Sequence, residues 1–332
     1  MELKQIAKKY GIPEDIKGTC SLENIKERHL TFLADLSYKH FLKPNQKVAV
    51  LTSKKNYAQI KSIKGNSYII VDNPHHAFIE FHNSFHKDFV PFNTGNEAPV
   101  CGKNCRIDKM ARFGKNVKIG SNVLIYPYAV IGSNVSIGDN TKIFPCASIY
   151  DNVRIGKNCI IDSGSTIGGE GFSTVLNEQH GAMRLTNIGG VDIGDNVEVG
   201  NNTTIDRASF LFTKIGNNVR IDNLIHVAHN VSIGDDTRIA ALTCIGGSAR
   251  IGKRVWIGVG CTIIDHASIG DDCQVLMNAV LINSIGNGMK VSGFYAMPHS
   301  KWIEHTKEMS KKYNCGVEKK EHTYKSYLKH NE

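Results

Sequence analysis

The sequence has no apolar run near the roughly 18 consecutive residues that a membrane-spanning helix needs. Its first residues lack the apolar core of a signal peptide; Met1 to Glu14 instead scatters Lys4, Lys8 and Lys9 among isolated apolar side chains. Together these absences predict a soluble, cytoplasmic protein. A disulfide framework is missing too. Of nine cysteines, Cys101 and Cys105 form one C-x3-C pair, with no second pair to complete a zinc site. Cys159, Cys244, Cys261 and Cys273 fall beside positions that want small apolar side chains, and they read as reduced packing residues. No nucleic-acid motif is present. The basic residues are spread along the chain, so the net charge of +9 suits an anionic ligand or an acidic partner protein rather than DNA or RNA.

What the sequence does contain is a period of six. Ile119, Ile125, Ile131, Ile137, Ile143, Ile149, Ile155, Ile161 and Ile167 follow one another at that spacing. Two residues before each stands a small or branched side chain, such as Val117, Ala129, Val135 or Cys159. The phase is lost after Gly168 and returns at Ile193, Val199 and Ile205. It slips by four residues between Arg207 and Lys214, then runs from Ile215 through Ile221, Val227, Ile233, Ile239 and Ile245 to Leu281. Neither a helix nor an ordinary amphipathic strand produces this period. A hexapeptide β-helix does: each hexad is one short strand and a corner, and three hexads close a triangular coil. The aliphatic residue points inward, and Gly, Asn or Asp near the corner tolerates positive φ. Residues 18 apart then lie one above the other at about the 4.8 Å strand spacing.

The flanks differ from this pattern. Residues 1–98 predict a small α/β domain, with strands at Val48–Leu51 and Tyr68–Val71 and an amphipathic helix over His75–Phe85. Residues 99–298 are the β-helix, and 299–332, rich in Lys, His and Glu, read as a tail of one or two short helices packed at the last coil. The excursion from Gly168 to Asn187 interrupts the prism, and long departures from a regular scaffold are often functional.

Three histidines fall in the second half of the repeats. His229 lies two residues after the inward Val227, at a corner; Gly247 should lie one coil further along the same edge, and His266 is one residue off the next step. A histidine, a glycine N–H and a second histidine along one edge fit acyl transfer, which needs a base for the nucleophile and a donor for the oxyanion. A three-histidine zinc site, as in hexapeptide-repeat carbonic anhydrases, is the competing chemistry. Against it, His226 and His229 lie on either side of Val227, so no metal is expected. A non-enzymatic solenoid is a third possibility, one that leaves the stacking of His229 on Gly247 without a purpose.

Longer stretches carry a more specific resemblance. NTTIDRASF (Asn202–Phe210), IGNNVRIDNLIHVAHNVSIG (Ile215–Gly234), IGGEGF (Ile167–Phe172) and IGGVDIGDNVEVG (Ile188–Gly200) resemble the UDP-3-O-acylglucosamine N-acyltransferases of lipid A synthesis. So do SLEN (Ser21–Asn24), LTFL (Leu30–Leu33), VDNPHHAF (Val71–Phe78) and VSGFYAMPHSKW (Val291–Trp302). The resemblance implies a left-handed β-helix, where the general crossover rule would give the right hand. It also implies a cytoplasmic homotrimer with sites between subunits and no cofactor. The acyl donor would be acyl carrier protein or a CoA thioester, and the acceptor a nucleotide-linked amino sugar. By the same resemblance His229 is the catalytic base, Gly247 the oxyanion glycine and His266 a second active-site histidine. Asp222 and His226 would meet substrate, and Phe32, Asp35 and Tyr38 the nucleotide base. Where the family usually reads Asn-Pro this chain has Asp35-Leu36, and His75-His76 replaces a frequent Tyr-Leu. Both departures leave room for a different nucleotide-linked amino sugar.

Overall fold

The computed structural model describes residues 2–95, 97–176, 181–293 and 297–312. Residues up to Gly293 form one compact unit. It opens with a four-stranded parallel sheet of β1 (Gly18–Thr19), β2 (His29–Leu33), β3 (Ala49–Thr52) and β4 (Ser67–Ile70), in the order β1-β2-β3-β4. Alternation along β2 and β3 sends Leu30 and Leu51 to one face, against α1 (Leu3–Tyr10) and α3 (Pro74–Phe85). Leu33 and Val50 go to the other face, with Ile60 of α2 (Lys54–Ile60). The sequence-predicted elements are therefore present, within a residue or two of their expected ends. The start of α3 is set by Asn73, whose side chain accepts from His76 N–H, and by Pro74 in the first turn.

From Val100 to Val291 the chain winds a three-sided parallel β-helix. Its strands are mostly two residues long. Face 1 (Val100–Cys101 to Ser268–Ile269) has nine, face 2 (Arg106–Ile107 to Lys290–Val291) ten, and face 3 (Arg112–Phe113 to Val280–Leu281) nine. The repeat isoleucines, with Val227 and Val275 in their register, form one continuous buried core. The few polar residues inside are satisfied by neighbouring coils, as where the Thr141 hydroxyl donates to Gly156 O at 2.9 Å and Thr243 to Gly258 O at 3.1 Å. Cys159, Cys261 and Cys273 are buried as packing residues; Cys244 is not, and faces outward beside His226 on face 3.

The corner between faces 1 and 2 shows why asparagine recurs. Asn104, Asn122, Asn140 and Asn158 all hold φ between 56° and 60°, a region that costs most side chains about 1–2 kcal/mol. Their amides also chain from coil to coil: Asn122 donates to Asn140 at 3.1 Å and Asn140 to Asn158 at 3.0 Å.

Two irregularities break the lattice. After Gly168 the chain leaves for a hairpin of Thr174–Leu176 and Ala182–Arg184, so Ile155 pairs with Ile193. The second adds four residues before Phe212–Ile215, so Thr204 pairs with His226, 22 positions on. The tail helix α4 (His299–Lys312) is a separate unit, and the rest of the predicted tail (313–332) lies outside the described residues, as do 177–180 of the excursion.

Replacing Asn140 with Ala removes two ladder bonds and places a Cβ-bearing residue without a compensating side chain at φ 60°. Stability should fall by about 1–2 kcal/mol, and Asn140→Gly should recover the backbone share. Chemical denaturation compares them; equal losses in both variants would contradict this account of the corner.

Candidate active site

His229 sits at the corner between faces 3 and 1, two residues beyond the inward Val227. Coil stacking builds the surroundings. Ser248 N–H donates to His229 O at 2.8 Å, and His266 N–H to Gly247 O at 2.8 Å, so the three corners lie in sequence along one edge. A Cβ on Gly247 would lie 2.7 Å from His229 Nε2 and Cε1, so the imidazole rests on the bare Cα of the next coil. On the other side, a Cβ on Gly171 would lie 2.7 Å from His229 Cβ. Only glycine fits at either position with the ring where it is. The Gly247 N–H has no acceptor among the described residues.

Asn230 sets the ring's tautomer. Its Oδ1 accepts from Ser209 N–H at 2.9 Å, which assigns the amide orientation and turns Nδ2 toward His229 Nδ1, 2.9 Å away. Nδ2 donates, so the neutral ring carries its hydrogen on Nε2, facing Gly247. Burial lowers the pKa of His229 below the ordinary histidine value, and charge on His266 or His226 would lower it further, partly offset by Asp265.

The excursion after Gly168 ties this corner to the N-terminal sheet. Asn187 Nδ2 donates to Glu170 Oε1 at 3.0 Å and to Gly171 O at 3.1 Å, fixing the glycine that touches His229. Val175, Met183 and Leu185 then pack with Ile6, Phe78 and Phe81. The hydrogen bonds of α3 finish the join: Asn83 donates to Arg184 O and accepts from Thr186 N–H, and His82 Nε2–H donates to Thr186 O at 2.8 Å. His82 is fully buried, and desolvation holds its pKa down to about 4, so it stays neutral in this role. Arg207, also fully buried, donates to Gly168 O, Asp151 O and Pro91 O, clamping the linker and the break point together.

The structure thus brings His229, Gly247 and His266 together, with His226 nearby on face 3. It keeps Asp222 apart within one chain. Asp222 lies at the corner between faces 2 and 3, where its two oxygens accept from Asn223 N–H and Ala241 N–H. In the N-terminal sheet, Phe32 stacks on His75 at 4.9 Å and 11° and meets Phe78 at 4.8 Å. Tyr38 neighbours Phe41 instead, at 6.4 Å. Asp35 caps a 3-10 turn: it accepts from Ser37 N–H at 2.8 Å, which holds its carboxyl below the usual range. Sequence reasoning assigned no role to Gly171, Asn187, Asp206, Arg207 or Asn230. Their signal was the two breaks in the period, which stack one coil apart directly below His229.

In the unliganded protein, neutral His229 should be the Nε2–H tautomer and should titrate below about 6.5. Long-range nitrogen–proton NMR on histidine-labelled protein reads both; an Nδ1–H tautomer would mean that Asn230 presents its oxygen to the ring.

The sequence matches the bacterial transferase hexapeptide family (six repeats) over residues 98–133, 134–169 and 212–247. It is 33% identical over 240 residues to the UDP-3-O-acylglucosamine N-acyltransferase of Coxiella burnetii (strain Dugway 5J108-111), covering 69% of each chain. The enzyme of the same name from Helicobacter pylori (strain HPAG1) is 36% identical over 239 residues, 69% of this chain and 70% of that one. Among solved structures, the UDP-N-acetylglucosamine O-acyltransferase of Moraxella catarrhalis RH4 aligns with 66% of this chain and 85% of its own, at 21% identity and a TM-score of 0.46. The identities to the Coxiella and Helicobacter enzymes, sustained over more than two thirds of the chain, make it a member of the UDP-3-O-acylglucosamine N-acyltransferase family.

Proposed function

We propose that the chain transfers a (3-hydroxy)acyl group from acyl carrier protein to the 2-amine of a UDP-3-O-acylglucosamine in the cytoplasm, as a step of lipid A synthesis. The observation that carries this reading is the His229 imidazole lying against Gly247, whose N–H has no acceptor among the described residues. The amine nitrogen attacks the thioester carbonyl. His229 takes a proton from the attacking nitrogen, Gly247 N–H donates to the oxyanion, and collapse expels the thiolate, which recovers the proton from His229. For Nε2 to accept that proton, the ring's own hydrogen must sit on Nδ1. An end-for-end turn of the Asn230 amide supplies an oxygen to receive it, giving up the bond to Ser209 N–H. His266, exposed beside Gly247, is placed to meet the donor or the sugar phosphates.

A homotrimer is part of this proposal. The edge between faces 2 and 3 exposes Leu224, Leu242, Val259 and Met277 on successive coils, an apolar patch that calls for cover, with Tyr126 and Tyr128 exposed further along the same edge. Asp222 lies on that edge and His229 on the next, so a neighbouring subunit is what could bring an Asp222 to a His229.

A second reading keeps the chemistry and changes the sugar nucleotide. An ionised Asp35 accepts a hydrogen bond but cannot donate one to a base carbonyl, as an asparagine amide would, and His75 already occupies one face of Phe32. Both observations favour a nucleotide-linked amino sugar other than the uridine compound.

Mass spectrometry of products from a panel of nucleotide amino sugars, with carrier-protein and CoA thioesters, decides between the readings. On the accepted substrate, His229→Ala should lower kcat by about 10²–10⁴-fold, and Gly247→Ala should lower it as well, because the new Cβ displaces the imidazole although the N–H remains. The wild-type rate should fall at acid pH through the lowered His229 pKa, since only the neutral ring accepts a proton. Near-full kcat in His229→Ala would remove the base assignment. Mixed oligomers of His229→Ala and Asp222→Ala chains check the shared site: wild-type-like sites should reappear on mixing, and none should if Asp222 serves only its own coil.

A further inference from the structure

Asp206 ends the strand Thr204–Asp206 on face 3, one coil before the His229 corner. It is 8% exposed, and no donor among the described residues lies within hydrogen-bond distance of its carboxylate. Leaving a largely buried carboxylate unpaired is costly, and Asp151, equally buried in this prism, avoids it by accepting from Ser133 N–H and Asn93 N–H. The groups that face Asp206 come from three elements. His226, on the next coil, brings Nε2 to 3.7 Å from Oδ2. Glu170 comes from the chain after Gly168, its Oε1 held by Asn187 N–H and Nδ2, and Arg184 from the hairpin. Thr204, paired with His226 across the ladder, places its hydroxyl 2.8 Å from His226 Nδ1. With a carboxylate opposite Nε2, the hydroxyl donates to Nδ1 and the Nε2–H points at Asp206. Thr204 and His226 are partly exposed on face 3; Asp206 lies behind them.

The proposed reaction has a proton that His229 cannot handle. An amino sugar that arrives as an ammonium ion sheds two protons on becoming an amide: ammonium plus thioester gives amide, thiol and one free proton. His229 takes one proton and returns it to the departing thiolate. The first, which must leave before the nitrogen has a lone pair to attack with, needs another acceptor. His226 is a poor final resting place for it, because charge there opposes charge on His229.

We propose that Asp206, reached through Thr204 and His226, is the acceptor of that first proton. This rests on the N-acyl transfer reading. The ammonium gives a proton to the Thr204 hydroxyl, which passes its own to His226 Nδ1; the Nε2 proton moves to Asp206 Oδ2. The amine is left neutral, Thr204 is restored, His226 has exchanged one tautomer for the other, and Asp206 is protonated. The gap of 3.7 Å must close to about 3 Å for the last transfer. Burial, then the charge of Glu170, with Arg184 opposing, push Asp206 up to about 7, so it can hold a proton and release it near neutrality.

The test is the pH profile of kcat/KM for the full chain, with the amino-sugar nucleotide and acyl carrier thioester that it accepts. From about pH 7, where Asp206 ionises, up to the pKa of the substrate amine, Asp206→Asn should be about 10–100-fold slower than wild type. The deficit should vanish at alkaline pH, where the amine arrives neutral. His226→Gln, which cannot relay a proton, should show the same alkaline rescue and keeps the test open if Asp206→Asn does not fold. His229→Ala should stay slow at every pH. Variant profiles that superimpose on wild type, or lie below it by one constant factor, would overturn the assignment, since a merely structural role lowers the rate alike at all pH values. A wild-type chain that forms no amide from any amino sugar would remove the N-acyl transfer reading, and this assignment with it.

Discussion

Coil-on-coil hydrogen bonding is the constraint on which the rest of this protein depends. Each short strand gives its N–H groups to the coil that follows and its inward side chain to a shared core. With only about two residues per strand, no coil could stand alone; the stack is stable because every unit is templated by the last. The same stacking makes chemistry possible. Groups far apart in sequence reach a common edge at a fixed spacing of about one strand separation, so a side chain at one corner meets backbone at the next.

The candidate site lies where that regularity fails. The departure after Gly168 and the four extra residues before Phe212 fall one coil apart at a single edge, and His229 occupies the coil immediately after. An unbroken lattice would cap this corner as it caps the others, with short polar side chains bonded to backbone N–H groups. The breaks instead bring in Gly171, Asn187, Glu170 and Asp206, which neither fill the edge nor fully satisfy it. Buried Arg207 is the fixed cost of this arrangement, spanning carbonyls of the linker, the prism and the break point to hold the irregular backbone in place.

Electrostatics at the edge follow from burial. His229 and His226 are both held toward neutrality by desolvation, while Asp206 is driven toward its protonated form by the same cause. A carboxyl pushed up beside imidazoles pushed down narrows the gap that ordinarily separates the two kinds of group, which suits them to moving protons. The N-terminal sheet is joined to the same place through α3, by packed side chains and by His82, whose low pKa keeps that link unchanged across the physiological range.

The period of six by itself determined the coil, its three faces, the core isoleucines and the stacking of Gly247 on His229, because inward position and vertical neighbour are both arithmetic in a hexad lattice. The αL asparagines were legible for the same reason. Outside the lattice that arithmetic stops. Cys244 looked like its buried counterparts and faces outward, since its position in the hexad is one before the inward residue. Asp222, seven residues from His229, lies on a different edge, because seven residues carry the chain past one face and around a corner. Phe32 and Tyr38 were carried over as two rings for one base, and the sequence did not show that Phe32 stacks on His75 or that Tyr38 neighbours Phe41. Only the tertiary structure decided what surrounds His229: Asn230 choosing its tautomer, Gly171 pressing on its Cβ, and Asp206 behind His226 with no donor in hydrogen-bond reach among the described residues. These depend on where irregular backbone comes to rest, which is set by long-range packing rather than by any repeat.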